Sequence, residues 1–187
     1  MWTSTLLFAA ASLSLVAGAP HEPMVLFKGL AMAKFNFVDF ELTQVGLACE
    51  RANSTTPYSC GLKFNWHDPN SVRQNNVSST ACALPFSWDG VNTIGSEEGF
   101  AGGPSVTCHS DDTSRFTSTL LYFKEPSNIT IQLAHMYLDA ENFTQPYVYP
   151  TTFAQPNLGL PQLYRSETEI KMFEEGLINA TVVGVTI

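Results

Sequence analysis

Apolar and polar residues alternate with a period of two along much of this chain. In Cys60–Asp68, CGLKFNWHD, the residues Cys60, Leu62, Phe64 and Trp66 share one face, and Gly61, Lys63, Asn65 and His67 share the other. In CALPFSWDG, Cys82, Leu84, Phe86 and Trp88 repeat that face. Such alternation marks strands with one side in a core. The pattern C-x-L-x-F-x-W thus occurs twice, which reads as two core strands with similar inward faces and not as a repeat array. Pro85 lies on the outer face of the second and removes a ladder donor, which favours an edge or a bulge. In AKFNFVDFELTQV, Val38, Phe40 and Leu42 point one way while Phe35 and Phe37 belong to the other set. That change of phase predicts a bulge or a strand covered on both faces.

RFTSTLLYF and NITIQLAHMYL also read as extended, with Ile129, Ile131 and Leu133 on one face of the latter. YVYPTTF reads as a further strand interrupted by Pro150, and the tail LINATVVGVTI as another. The strings DPNS, DGVN, GSEEGFAGGPS, SDDTS and KEPSN punctuate these runs as turns. One helix signal stands out. Ser166-Glu167-Thr168-Glu169 matches a capping box, Ile170 and Phe173 supply an apolar edge, and Gly176 suits a helix end. The expectation is an all-β antiparallel sandwich or barrel with a short C-terminal helix, residues 157–187 forming a helix-bearing appendage.

The N-terminus changes the picture. Leu6–Val16 is an apolar run followed by Ala17-Gly18-Ala19, the layout of a secretory signal peptide over residues 1–19. Residues 20–187 then form a single secreted β domain, long enough to bury about 70% of its unfolded surface. Seventeen acidic against nine basic residues give a net charge of −8, which repels phosphate backbones and argues against a nucleic-acid partner. No later run has the length of a membrane span. The tail is too short and too broken to read as a lipid-anchor signal. Four cysteines, Cys49, Cys60, Cys82 and Cys108, suggest two disulfides in an exported chain. Five N-x-S/T sequons, at Asn53, Asn76, Asn128, Asn142 and Asn179, exceed what composition gives by chance and suit the same compartment.

Candidate chemistry is sparse. His67 and Asp68 point to opposite faces of a strand, and Pro69 starts a turn, so the pair reads as a strand end. His135 shares a face with Ile131 and Leu133, and reads as a hydrogen-bonded core histidine or a functional one. His109, beside Cys108 and before Asp111-Asp112, reads as a solvated loop. Asp39 and Glu41 share a strand face about 7 Å apart, within the span of glycosidase carboxylates. His21 at the head of a mature chain would chelate copper through its amino group and ring, as in oxygenases that cut polysaccharides. Cleavage after Ala19 leaves Pro20 first and abolishes that brace; trimming to His21 restores it. The cysteine and histidine spacings fit no zinc motif. There is no G-x-S-x-G and no phosphate loop. No catalytic residue, metal or cofactor is assigned.

Cys49, Tyr58-Ser59-Cys60, Phe64, Trp66 and Asp68, with the signal peptide and acidic β-rich composition, resemble the fungal family of small secreted β-barrels named for the major Alternaria allergen. The chain departs from that pattern in the wide Cys82–Cys108 spacing, the extra tail and the five sequons. The resemblance implies a secreted, non-enzymatic protein, effector-like or allergen-like, acting at a host or cell-surface interface on a host or cell-wall protein or glycan. Four cysteines allow three pairings. Antiparallel neighbouring C-x-L-x-F-x-W strands would place Cys60 and Cys82 at opposite ends and disfavour one of them. The resemblance implies Cys49–Cys60 and Cys82–Cys108 from the remaining two. The alternatives are a secreted hydrolase or copper-dependent oxygenase acting on polysaccharide through His135, His67 or His21, and a wall-associated structural protein.

Overall fold

The computed structural model describes residues 36–71, 76–95, 103–143 and 145–187. The signal peptide, Phe35 and His21 lie outside them, as does most of GSEEGFAGGPS. The described residues form two antiparallel sheets packed face to face. In the first, β10 (Gln162–Arg165), β11 (Glu169–Glu174), β1 (Phe40–Glu50), β2 (Tyr58–His67) and β3 (Ser79–Trp88) are neighbours in that order, and β12 (Ile178–Ala180) also pairs with β1. In the second the order is β13 (Val182–Thr186), β8 (Thr151–Ala154), β7 (Asn128–Tyr137), β6 (Ser114–Glu125) and β4 (Ile94–Gly95). There β5 (Ser105–Ser110) pairs with β6 and β9 (Asn157–Leu158) with β7. No ladder among the described residues joins the sheets into a closed barrel, so the sandwich is the form adopted.

The two C-x-L-x-F-x-W strands are antiparallel neighbours centred on Leu62 opposite Leu84, with Cys60 opposite Phe86 and Phe64 opposite Cys82. Their inward faces are buried and alternate with exposed or half-buried positions. β3 is an edge strand, which accommodates Pro85. The core joins Phe40, Leu62, Trp66 and Leu84 of the first sheet to Phe116, Leu120, Phe123 and Ile131 of the second. Trp66 meets Phe116 edge-on at 4.7 Å, and Phe123 meets Phe86 at 5.0 Å and Trp88 at 5.2 Å. These tilted contacts align ring edges with ring faces across the sheet interface. The sheets are also tied through the chain. Cys82 on β3 is bonded to Cys108 on β5, and the segment through Thr181 passes from β12 in one sheet to β13 in the other, while Cys49–Cys60 locks the β1–β2 pair within the first sheet.

The phase change in β1 lies further along than the sequence pattern suggested. Leu42 and Val45 are both buried, because Gln44 and Val45 together oppose Phe64 alone. Gln44 takes φ 52°, in the left-handed region, and its Oε1 accepts a 2.7 Å hydrogen bond from Asn65 Nδ2. The bulge falls where β1 changes partner: Phe40–Leu42 pair with β12, and Val45–Glu50 with β11.

The expected C-terminal helix is not formed. Residues Ser166–Glu169 instead turn the β10–β11 hairpin. Ser166 Oγ accepts from the Glu169 amide at 3.0 Å, the bond a helix cap would make, but the Ser166 amide donates to Glu169 O at 2.7 Å and reverses the chain. The turn is gripped from outside. Glu167 O accepts from Arg51 Nε at 2.7 Å and from Tyr58 Oη at 2.8 Å, while Arg51 lies over the Tyr58 ring. Ile170 and Met172, alternating as strand residues, are buried opposite Cys49 and Leu47. Residues 157–187 therefore add strands to both sheets and do not stand apart as an appendage.

The left-handed Gln44 makes a specific prediction. A β-branched side chain is strained there, so Gln44→Val should destabilise by about 1–2 kcal/mol, whereas Gln44→Gly should cost less because glycine adopts this conformation freely. Urea unfolding of both variants tests this; equal losses would show that the bulge does not depend on the left-handed residue.

Candidate functional site

At one end of the sandwich, β2 runs into a short 3-10 turn, Pro69–Ser71. Proline fixes the turn and its predecessor Asp68 is carried inward, while His67 stays on the outer face. Asp68 is fully buried. Its Oδ1 accepts from the Asn70 amide at 2.8 Å and from Asn70 Nδ2 at 2.7 Å. Its Oδ2 lies 2.7 Å from His135 Nδ1 on β7, and His135 Nε2 lies 2.8 Å from Ser114 Oγ at the start of β6. His135 and Ser114 are also fully buried. The imidazole stacks on Phe116 at 3.6 Å, with Tyr137 at 5.1 Å and Trp66 at 6.2 Å.

The protons follow from the partners. A carboxylate only accepts, so Nδ1 carries hydrogen. Burial holds the His135 pKa below its ordinary value, against the opposing pull of Asp68, and the ring is neutral at pH 7. Ser114 therefore donates to Nε2, the nearer of its two acceptors; Val77 O lies at 3.3 Å. Burial also raises the Tyr137 pKa, with Asp68 and Asp139 adding to it. The order Ser–His–Asp and both distances are those of a hydrolase triad. Its setting differs, because all three groups have no exposed surface. The Ser114 hydroxyl is enclosed by packed side chains.

The other candidates remain apart. His67 is half-buried on the outer face, its Nδ1 3.0 Å from Ser78 O and 2.8 Å from Ser79 Oγ, with Glu41 opposite it on β1. Asp39 contacts Thr181 Oγ1 at 3.3 Å. His109 Nε2 lies 2.9 Å from Asp111 Oδ2 near the surface. That bond, and then the Thr113 amide, lowers the Asp111 pKa to about 2. Asp111 also accepts from the Ser114 amide, so it shapes the β5–β6 turn. Asp112 is exposed. Among the described residues no three His, Cys, Asp or Glu side chains are placed to share a metal, and no helix is long and apolar enough to cross a membrane.

Two asparagines with no catalytic motif organise the same end. Asn70 pairs with both backbone groups of Val38, its Oδ1 accepting at 2.8 Å and its Nδ2 donating at 2.9 Å. Asn76 does the same with Leu138, at 3.2 and 2.7 Å. Each amide imitates a strand partner. Between them runs a groove of about 280 Å³ lined in part by Val38, Asn70, Asn76, Leu138, Asp139 and Asn142. The only sequence cue was their place beside a proline turn and in a sequon.

The sequons differ in access. Asn53, Asn142 and Asn179 are exposed, and Asn128 and Asn76 are half-buried. Thr144 of the Asn142 sequon lies outside the described residues. Comparison with family models, curated proteins and solved structures finds no match to this chain.

Two predictions arise from this site. The cyclic Asn76–Leu138 pair uses the amide hydrogen on the carbonyl side, the position a glycan would occupy. Peptide mapping of folded protein from a glycosylating host should therefore find Asn76 bare and saccharide on Asn53 or Asn179; full occupancy of Asn76 would contradict the pair. The second concerns acid. The folded pKa of His135 lies below its unfolded value of about 6.5, so the unfolded chain takes up the proton first. This contribution to stability is present above pH 6.5 and is lost as pH falls through the folded pKa. Thermal unfolding between pH 7.5 and 5 should fall more steeply in the wild type than in His135→Gln, and parallel curves would exclude the effect.

Proposed function

We propose that this chain is a secreted, non-enzymatic binding protein, effector-like or allergen-like, acting at a host or cell-surface interface. The observation that carries this reading is the burial of the Asp68–His135–Ser114 relay, which spends the best-placed polar chemistry inside the core. Two disulfides support export to an oxidising compartment. The exposed sequons suit a glycoprotein, and the apolar N-terminal run suits a removed signal peptide. Surface grooves and exposed aromatic residues leave recognition to the outside of the sandwich.

The hydrolase reading is favoured by one observation, the triad-like distances of 2.7 and 2.8 Å. The copper reading rests on His21, outside the described residues. One experiment separates binding from hydrolysis. Wild type and Ser114→Ala are assayed on ester, amide and polysaccharide substrates, and for capture of extracellular proteins and wall polysaccharides. Partner capture is expected from the wild type, with no turnover from either. Ser114→Ala leaves His135 Nε2 unpaired and should cost about 1–3 kcal/mol, so its folding is checked first. Turnover by wild type that disappears in folded Ser114→Ala would overturn the proposal.

A further inference from the structure

The outer faces of the two sheets differ in charge. The first sheet presents Glu41, Lys63, Glu169 and Lys171 outward, between the buried positions of β1, β2 and β11. On the second sheet the outward side chains are Thr130, Gln132, Ala134 and Met136 along β7 and Thr151 and Phe153 along β8. None of these is charged, and Thr186 of β13 extends the face opposite Thr151. Arg115, opposite Met136 at the start of β6, borders it. The β7–β8 ladder also runs past its last strand pair. The Tyr137 amide donates to Pro150 O at 3.2 Å, and the Asp139 amide to Val148 O at 2.8 Å. Both bonds keep the register that sets Met136 opposite Thr151, so Tyr149 opposes Leu138 and shares the outer face with Thr151 and Phe153. Val148 and Pro150 are buried, which turns Tyr147 and Tyr149 outward; they are 55% and 41% exposed. Tyr147, Tyr149 and Phe153 thus form one row, along which outward positions recur about every 7 Å.

Three properties of this row select its ligand. The rings stand on a laddered strand, so their backbone is organised before anything binds. Phe153 is flanked across its two ladders by Ala134 and Gly184, whose small size leaves room on either side of the ring. Hydroxyls and an amide lie around the rings: Thr151 between Tyr149 and Phe153, and Thr130 and Gln132 on the adjacent strand. Aromatic faces suit apolar C–H surfaces, and hydroxyls and amides suit partners that both donate and accept. Pyranose units carry both kinds of surface, and a polymer of them is linear, as the row is. Covering an uncharged face desolvates no ion. An anionic polymer would approach a chain of net charge −8, and a second copy would bring the same charge again.

We infer that the outer face of the second sheet, with Tyr147, Tyr149 and Phe153 as its aromatic row, binds a neutral polysaccharide. The inference rests on the binding-protein reading and names its ligand class and its surface. The probes are sedimentable particles of cellulose, chitin and β-1,3-glucan, with polygalacturonate as the anionic control. The full chain, disulfides formed, comes from a host that adds no N-glycans, because Asn128 of the sequon lies at the β7 end of the same face. The wild type should be depleted from solution by at least one neutral particle and not by the anionic one. Tyr147→Ala and Tyr149→Ala, exposed positions expected to keep the wild-type melting temperature, should each raise Kd tenfold or more. Tyr149→Phe, which keeps the ring, and Tyr164→Ala, an exposed aromatic of the first sheet, should bind as the wild type does. Binding unaffected by either tyrosine-to-alanine change, or equally weakened by Tyr164→Ala, overturns the face. Equal binding to polygalacturonate overturns the neutral class. No depletion by any neutral particle overturns the polysaccharide: a wild-type dimer that Tyr149→Ala disperses then assigns the face to a second copy, and capture of an extracellular protein leaves the binding-protein reading standing. Ser114-dependent release of soluble saccharide from a particle overturns both.

Discussion

A buried imidazole has two nitrogens to satisfy, and His135 has no exposed surface. Leaving either unpaired in the core costs about 1–3 kcal/mol, a large share of a domain's net stability. The end of the sandwich is arranged around that requirement. Asp68 must turn inward, which the Pro69 turn permits, and its second oxygen needs donors of its own, which Asn70 supplies. Asn70 in turn holds Val38 at the entry to β1. Ser114 completes the other side of the ring from β6. One polar chain thereby connects the lead-in to β1, the end of β2 and the starts of both the turn and β6 with the middle of the second sheet. Fully satisfied, such a network rigidifies the core around it.

The same requirement explains why a triad-like geometry here is a poor guide to catalysis. A serine and an aspartate on either side of a histidine satisfy its ring with one hydrogen bond at each nitrogen, so a core that encloses a histidine arrives at the arrangement on structural grounds alone. Catalysis adds a condition that hydrogen bonding does not impose, a substrate within reach of the hydroxyl. In the binding reading proposed above, recognition is assigned to surfaces whose backbone is fixed by the core.

Elsewhere the fold is secured by connections between distant segments. The Cys82–Cys108 bond joins an edge of one sheet to the other, and the passage from β12 to β13 does so by chain continuity. At the end opposite His135, Arg51 and Tyr58 hold the Glu167 carbonyl and fix the β10–β11 turn.

Much of this was legible in the chain alone. Period-two alternation named the inward faces of β2, β3 and β7, because a strand's side chains alternate whatever it pairs with. Pro85 marked an edge, because a missing donor is tolerable only there. What remained hidden depends on partners remote in sequence. Asp68 and His135 are 67 residues apart, and Asn76 and Leu138 are 62 apart. The bulge sits at Gln44 and not near Phe37 because β1 exchanges β12 for β11 there, a junction no local pattern records. Ser166–Glu169 carries the same hydroxyl and amide in a helix cap as in a hairpin turn. Its choice was made by the burial of Ile170 and Met172 against β1 and by the grip of Arg51 and Tyr58, and tertiary contacts of that kind outweigh a local preference worth about 1 kcal/mol.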